Sequence, residues 1–150
     1  MRSHHRLRRL VVADGAVYRW TVRHKHADRD ACREVLSLYR NDVPTRIVFR
    51  AGEVGSGRYV SDGYWYAGCV LDGRGNLLNL REPRVVRAVV DEAERRGLLP
   101  GRGEVDGWEL FHPVVEVVDA VEGARAATAA DVSRAAAATP VVRPGCPPGP

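Results

Sequence analysis

Three residues near one another have the chemistry to hold a metal ion: His24, His26 and, after an intervening turn-like segment, Cys32. Alternate side chains of a strand share a face, so imidazoles two residues apart point the same way. A cysteine beyond the turn could bring its sulfur to the same place. Two imidazole nitrogens and one thiolate suit zinc, which takes four such ligands in structural sites. His112, His5 and Cys69 are available for the fourth position, and the spacing places none of them. Recognised zinc signatures use ligand pairs at tighter spacing, and the three cysteines, Cys32, Cys69 and Cys146, include no CxxC pair.

A second set of residues carries charge rather than donors. Along Tyr18–His26 the alternation puts Tyr18, Trp20, Val22, His24 and His26 on one face and Arg19, Arg23 and Lys25 on the other. Near Ile47 and Phe49 the pattern repeats, with Arg46 and Arg50 opposite. Such a face, with an arm of Arg6, Arg8 and Arg9, could neutralise phosphates and bind nucleic acid in a salt-dependent way. Tyr64, Trp65 and Tyr66 would offer stacking surfaces if exposed. No signature of a nucleic-acid-binding fold accompanies them. Exposed strand positions often carry solvated arginines with no ligand at all.

Catalytic chemistry finds less support. Ser37, Ser56 and Ser61 sit in no GxSxG elbow, and no cysteine stands beside a recognisable activating base. Gly55-Ser56-Gly57 lacks the lysine and the following helix of a phosphate loop. Cys69, between Gly68 and Val70, reads as a small core residue.

The elements that must position these residues follow from periodicity. Leu7–Ala13 and Ala16–His26 read as strands joined at Asp14-Gly15, a favoured hairpin dipeptide. Cys32–Arg40 is a third strand, closing at Asn41-Asp42, and Thr45–Ala51 a fourth. Gly52–Gly57 is a loop. Arg58–Leu71 is strand material broken at Asp62-Gly63, and Asn76–Leu80 follows a glycine turn. The period then changes: Val85, Val86, Val89, Val90 and Ala93 form a helical stripe, started by Pro83 and stopped by Gly97. Asp91 with Arg95 and Glu92 with Arg96 are spaced as ion pairs. Val105–Phe111 reads as a final strand.

From Pro113 onward aromatics disappear, alanine, valine, glutamate and arginine dominate, and the end is rich in proline and glycine. The expected organisation is therefore a disordered 1–5, one α+β domain over 6–112, and a mostly flexible tail over 113–150. Within the tail, Thr128-x-x-Asp131 suggests a short helix near 129–138, with the last ten residues disordered. The fold class is α+β: an antiparallel sheet of five to six strands with one main helix packed on a face. Trp20, Ile47, Phe49, Val86, Val89 and Val90 should form the core.

Composition bounds the function classes. At 150 residues, 45% hydrophobic and 28% charged, the chain can bury an ordinary core. Residues 1–50 carry 12 basic and 5 acidic side chains, residues 51–150 carry 11 and 14, and the whole is +4. That asymmetry hints at an anionic partner. Lys25 is the one lysine among 23 basic residues, an arginine bias of the kind that base composition alone produces. No run approaches the ~18–20 apolar residues of a membrane span, and Leu10–Ala13 is too short for a signal sequence. Scattered cysteines fit a reducing compartment, so a cytoplasmic location is expected. The sequence points to a small non-enzymatic binding or interaction module of unknown partner. A nucleic-acid-binding protein using Arg19, Arg23, Lys25, Arg46 and Arg50 is the alternative. A zinc-binding domain using His24, His26 and Cys32 is the second.

Overall fold

In the computed structural model the described residues are 6–26, 32–60 and 67–138, with side chains described through 128. Strand β1 (Arg8–Val11) and strand β2 (Val17–Lys25) form the first hairpin, turned at Gly15 with a positive φ of 84°. Asp14 accepts the Ala16 N–H at 2.9 Å in that turn. Strand β3 (Arg33–Arg40) returns beside β2, and strand β4 (Val43–Arg50) beside β3. The link between β3 and β4 is the pair Asn41 and Asp42, both left-handed at φ 49° and 62°. Two left-handed residues make the tight turn whose twist matches that of the strands, and Asn and Asp tolerate it best after glycine.

The chain then builds a separate three-stranded antiparallel sheet from β5 (Tyr59–Val60), β6 (Cys69–Leu71) and β7 (Leu77–Asn79). Helix α1 (Pro83–Arg95) follows, with proline in its first turn. It ends at Gly97, where Leu98 N–H reaches Ala93 O at 2.9 Å and Gly97 N–H reaches Glu94 O at 2.9 Å. That bond pair satisfies carbonyls the helix end would otherwise leave open. Strand β8 (Gly103–Asp106) adds to the first sheet parallel to β4, giving the order β1-β2-β3-β4-β8. Helix α2 (Trp108–Ala138) completes the elements. The fold is α+β, but the main sheet is mixed rather than antiparallel, and among the described residues the remaining strands form a second sheet and there are two helices.

The core is one cluster. Trp20, Val22, Leu36, Leu38, Ile47 and Phe49 from the main sheet meet Val85, Val86, Val89 and Val90 of α1, with Val70 and Leu78 from the small sheet. The six expected core residues are all buried. Tyr18 donates to Glu94 at 2.7 Å, tying β2 to α1. Burial and the Glu94 carboxylate push that phenol up to about 12. On α1, Asp91 pairs with Arg87 rather than Arg95, and Glu92 takes both Arg95 and Arg96.

Two sequence expectations fail at the C-terminal side. Trp108–Phe111 is not strand but the first turn of α2, and Pro113 does not end the folded part. Asp106 accepts the Trp108 N–H at 3.0 Å at the helix start, and Gly107 N–H bonds Val48 O at 2.8 Å. Gly107 lies so close to Phe49 that a Cβ would come within 2.6 Å of its ring. A proline inside a helix costs about 3 kcal/mol. Burying Val114, Val115 and Val118 offsets it, at about 1.5–3 kcal/mol for each fully buried side chain. The chain forms two compact units, Met1–Val118 and Asp119–Pro150. In the second, residues 119–138 are helical and residues 119–128 are exposed. Thr128 donates to Ala124 O within that helix instead of capping a new one. The expectations for residues 1–5 and for the last ten residues lie outside the described residues.

Candidate metal centre

The β2–β3 register decides which side chains meet at the open end of the hairpin. His24 stands directly opposite Glu34, and Lys25 opposite Arg33. Carrying the same register outward puts His26 opposite Cys32. Directly opposed residues of an antiparallel pair share a face, so all four side chains project to the same side. The Cys32 carbonyl accepts the Ala51 N–H at 2.9 Å, which anchors this residue to the end of β4.

The side chains converge accordingly. His26 Nδ1 lies 2.7 Å from Cys32 Sγ. The His24 and His26 rings are near parallel, 19° apart with centroids at 6.5 Å. One donor atom from each of His24, His26 and Cys32 lies within 4.8 Å of the others. Zinc bonds of about 2.0–2.1 Å to nitrogen and 2.3 Å to sulfur put tetrahedral donors roughly 3.3–3.8 Å apart. Small side-chain rotations bridge that difference.

Glu34 is the residue that sequence reasoning missed. It is fully buried, and its Oε1 sits 2.6 Å from His24 Nδ1 and 3.3 Å from the Gly68 N–H. Its Oε2 is buried with no hydrogen-bond partner among the described residues. With Glu34 as the acceptor, His24 donates from Nδ1, the tautomer that presents Nε2 to a metal. This is the support that metal-bound histidines typically receive from a carboxylate behind them. The sequence held a signal for it: Glu34 is in phase with Leu36 and Leu38, so a strand that buries them buries the glutamate too.

The candidate fourth ligands fare differently. Cys69 is buried near Glu34, and burial, then the negative charge of Glu34 and Glu82, pushes its thiol up. That opposes the thiolate form a metal needs. His112 lies on α2 near Asp72, whose carboxyl stays low. Burial raises Asp72, but hydrogen bonds from the Asn76 side chain and the Arg74 and Asn76 backbones outweigh it. His5 lies outside the described residues. The three-donor set therefore leaves one coordination position for water or another donor.

The opposite face of the main sheet gathers the cations. Arg19, Arg23 and Lys25 on β2 and Arg46 and Arg50 on β4 are all exposed. Arg33 joins them, directly between Lys25 and Arg50 across the strands, and Arg9 stands opposite Arg19. Val35 and Val48, 4% and 2% exposed, lie in this face outside the main core cluster. Among the described residues the ion pair found here is Arg50 with Glu104, at 2.8 Å. Tyr64, Trp65 and Tyr66, the stacking residues suggested by the sequence, lie outside the described residues.

The chain matches no protein-family model, no curated protein and no solved structure. No helix among the described residues is long and apolar enough to cross a membrane.

Proposed function

We propose that the protein is a small non-catalytic binding module with a zinc site at the open end of the β2–β3 hairpin. The observation that carries this reading is the convergence of His24, His26 and Cys32 on one point, with a fully buried Glu34 behind His24. A buried carboxylate with an unpaired oxygen is costly, and sites that keep one commonly have a use for it. Zinc suits the donors, since imidazole and thiolate together favour it over the hard cations that prefer oxygen.

The test is a zinc titration of the metal-stripped protein against a chromophoric chelator. One zinc per chain is expected, with binding lost in Cys32→Ser and in His26→Ala. Cobalt in place of zinc should give the ligand-field bands of a tetrahedral site with a sulfur ligand. Absence of stoichiometric binding, or binding unchanged in both variants, would overturn the reading.

A second reading is supported by the cationic sheet face, where seven exposed or half-exposed cations share one surface. It fits a polyanion such as nucleic acid. Fluorescence anisotropy with single-stranded and duplex probes should show affinity falling steeply with salt, at a log–log slope near −0.9 per phosphate neutralised on duplex DNA. Arg19→Glu with Arg46→Glu should abolish that binding while the fold persists. Binding insensitive to the double change would remove this reading and leave the zinc site untouched.

A further inference from the structure

Strand β1 begins at Arg8, opposite Trp20, so it leaves the edge of β2 beyond Trp20 open. At that edge is a cleft of about 180 Å³ lined by Arg6, Arg8, Trp20, Thr21, Val22 and Arg81. A single water needs only about 10–15 Å³ of such volume, so the cleft admits a polyatomic ligand. Among the described residues its lining holds three guanidinium groups and no carboxylate. We propose that this cleft is a binding site for a phosphate dianion, free or as the end of a phosphomonoester.

Two observations support it beyond the charge. Trp20 is 2% exposed, yet its indole Nε1 has no hydrogen-bond partner among the described residues. A buried indole N–H ordinarily finds an acceptor, and a ligand oxygen in the cleft would supply it. Two of the arginines are also held in place. The Arg8 guanidinium stacks over the Trp20 ring at 4.7 Å from its centroid, and its Nη1 donates to the Arg81 carbonyl at 2.8 Å. That bond leaves most of the Arg8 fork free for a ligand. Arg81 packs against Gly68, where a Cβ would come within 2.9 Å of its side chain. Pre-positioned forks match a tetrahedral oxyanion with two or more oxygens to offer. Three positive charges, with no carboxylate among the described lining residues, favour a dianion over a monovalent carboxylate.

The test is an indole N–H titration by proton–nitrogen NMR at constant ionic strength. The protein has three tryptophans, and the Trp20 resonance is assigned by its loss in Trp20→Phe. Inorganic phosphate should shift that resonance downfield and saturably. The Trp108 indole already donates to Arg50 O at 2.7 Å and should stay in place. Arg81→Gln keeps the carbonyl that Arg8 uses, so it isolates the charge. It should weaken the apparent Kd about tenfold or more, the scale of a lost charged hydrogen bond. Arg8→Gln should do the same from the other side of the cleft. A tighter response to glycerol 3-phosphate than to inorganic phosphate would identify a phosphomonoester as the ligand, and the reverse would identify the free ion. Four results would overturn the proposal: no saturable Trp20 shift, a shift shared equally by Trp108, an equal response to acetate, or a shift unaltered in both arginine variants. None of these depends on whether zinc binds.

Discussion

Replacing Glu34 with glutamine separates a metal-supporting carboxylate from one retained for packing. Glutamine has nearly the same volume, so no cavity opens, and its amide oxygen can still accept from His24 Nδ1 or Gly68 N–H. The charge is lost. A neutral acceptor makes a bond roughly half as strong as a charged one. The His24 ring is then a poorer ligand, and such outer-shell changes typically cost 10–100-fold in metal affinity. The effect on the metal-free fold runs the other way. Wild type buries a carboxylate whose Oε2 has no partner among the described residues, so removing the charge relieves a desolvation cost. The metal-free variant should melt no earlier than metal-free wild type.

The assay is thermal unfolding with zinc fixed at 100 times the wild-type Kd. Linkage gives about 2.7 kcal/mol of stabilisation to wild type under that condition. For the variant it gives about 1.4 kcal/mol at a tenfold loss of affinity and about 0.4 kcal/mol at a hundredfold loss. Zinc should therefore raise the melting temperature of Glu34→Gln by half of the wild-type increment or less. An equal zinc-induced rise in both proteins would refute the role assigned to Glu34. A metal-free variant that melts well below metal-free wild type would refute the claim that the unpaired oxygen is costly.

Other consequences concern the fold. Glu92, bonded to Arg95 and Arg96, titrates at about 2 in the folded chain and near 4.5 when unfolded. Its contribution is thus complete above the unfolded value and lost as pH falls towards 2. Glu92→Gln should flatten that acid limb by about 1 kcal/mol or less, since solvent screens the cluster, and an unchanged limb would exclude it. Gly107→Ala should destabilise by about 1–3 kcal/mol through overpacking against Phe49, and a neutral result in denaturant unfolding would mean the ring can move aside. Pro113→Ala should stabilise by about 1–3 kcal/mol, by restoring an N–H and removing the ring from the helix interior. A lower denaturation midpoint for that variant would contradict the helical placement of residue 113.

The parts of the fold that were legible are those where local pattern and tertiary environment agree. Residues 17–25 alternate and residues 83–95 repeat at the period of the element they form, residues 33–40 form a continuous buried run instead, and turn residues close these elements. Asn41-Asp42 and Gly97 are of this kind, each left-handed where the chain reverses or stops. Trp108–Val118 misled for the opposite reason. Its apolar residues at 108, 111, 115 and 118 keep helical spacing, but Gly107 and Pro113 bracket the first turn and read as breakers. Packing outweighs them, because Trp108 meets Phe49 edge-on at 5.4 Å and donates to Arg50 O. Strand pairing over long separations was also hidden. Nothing local in Gly103–Asp106 says that it lies parallel to β4, since a parallel neighbour depends on a connection spanning another sheet and a helix.

The candidate sites divide along the same line. His24, His26 and the cations of β2 could be placed because a strand assigns faces by parity alone. Their partners could not, because a partner is set by register. His24 meets Glu34, and by extension His26 meets Cys32, because the β2–β3 register aligns residue 24 with residue 34. A slip of one residue would turn Glu34 to the arginine face, where a carboxylate would be solvated and unremarkable. In the observed register the same residue lies in the apolar face, in line with Leu36 and Leu38 and opposite Phe49. A charge confined there is either an error of design or a device with a partner. The position of His24 Nδ1 at 2.6 Å, with the Nε2 edge left to a ligand, favours the device. Trp20 follows the same reasoning on the neighbouring stretch of β2, where an apolar ring was expected in the core and its one polar atom faces no protein acceptor among the described residues.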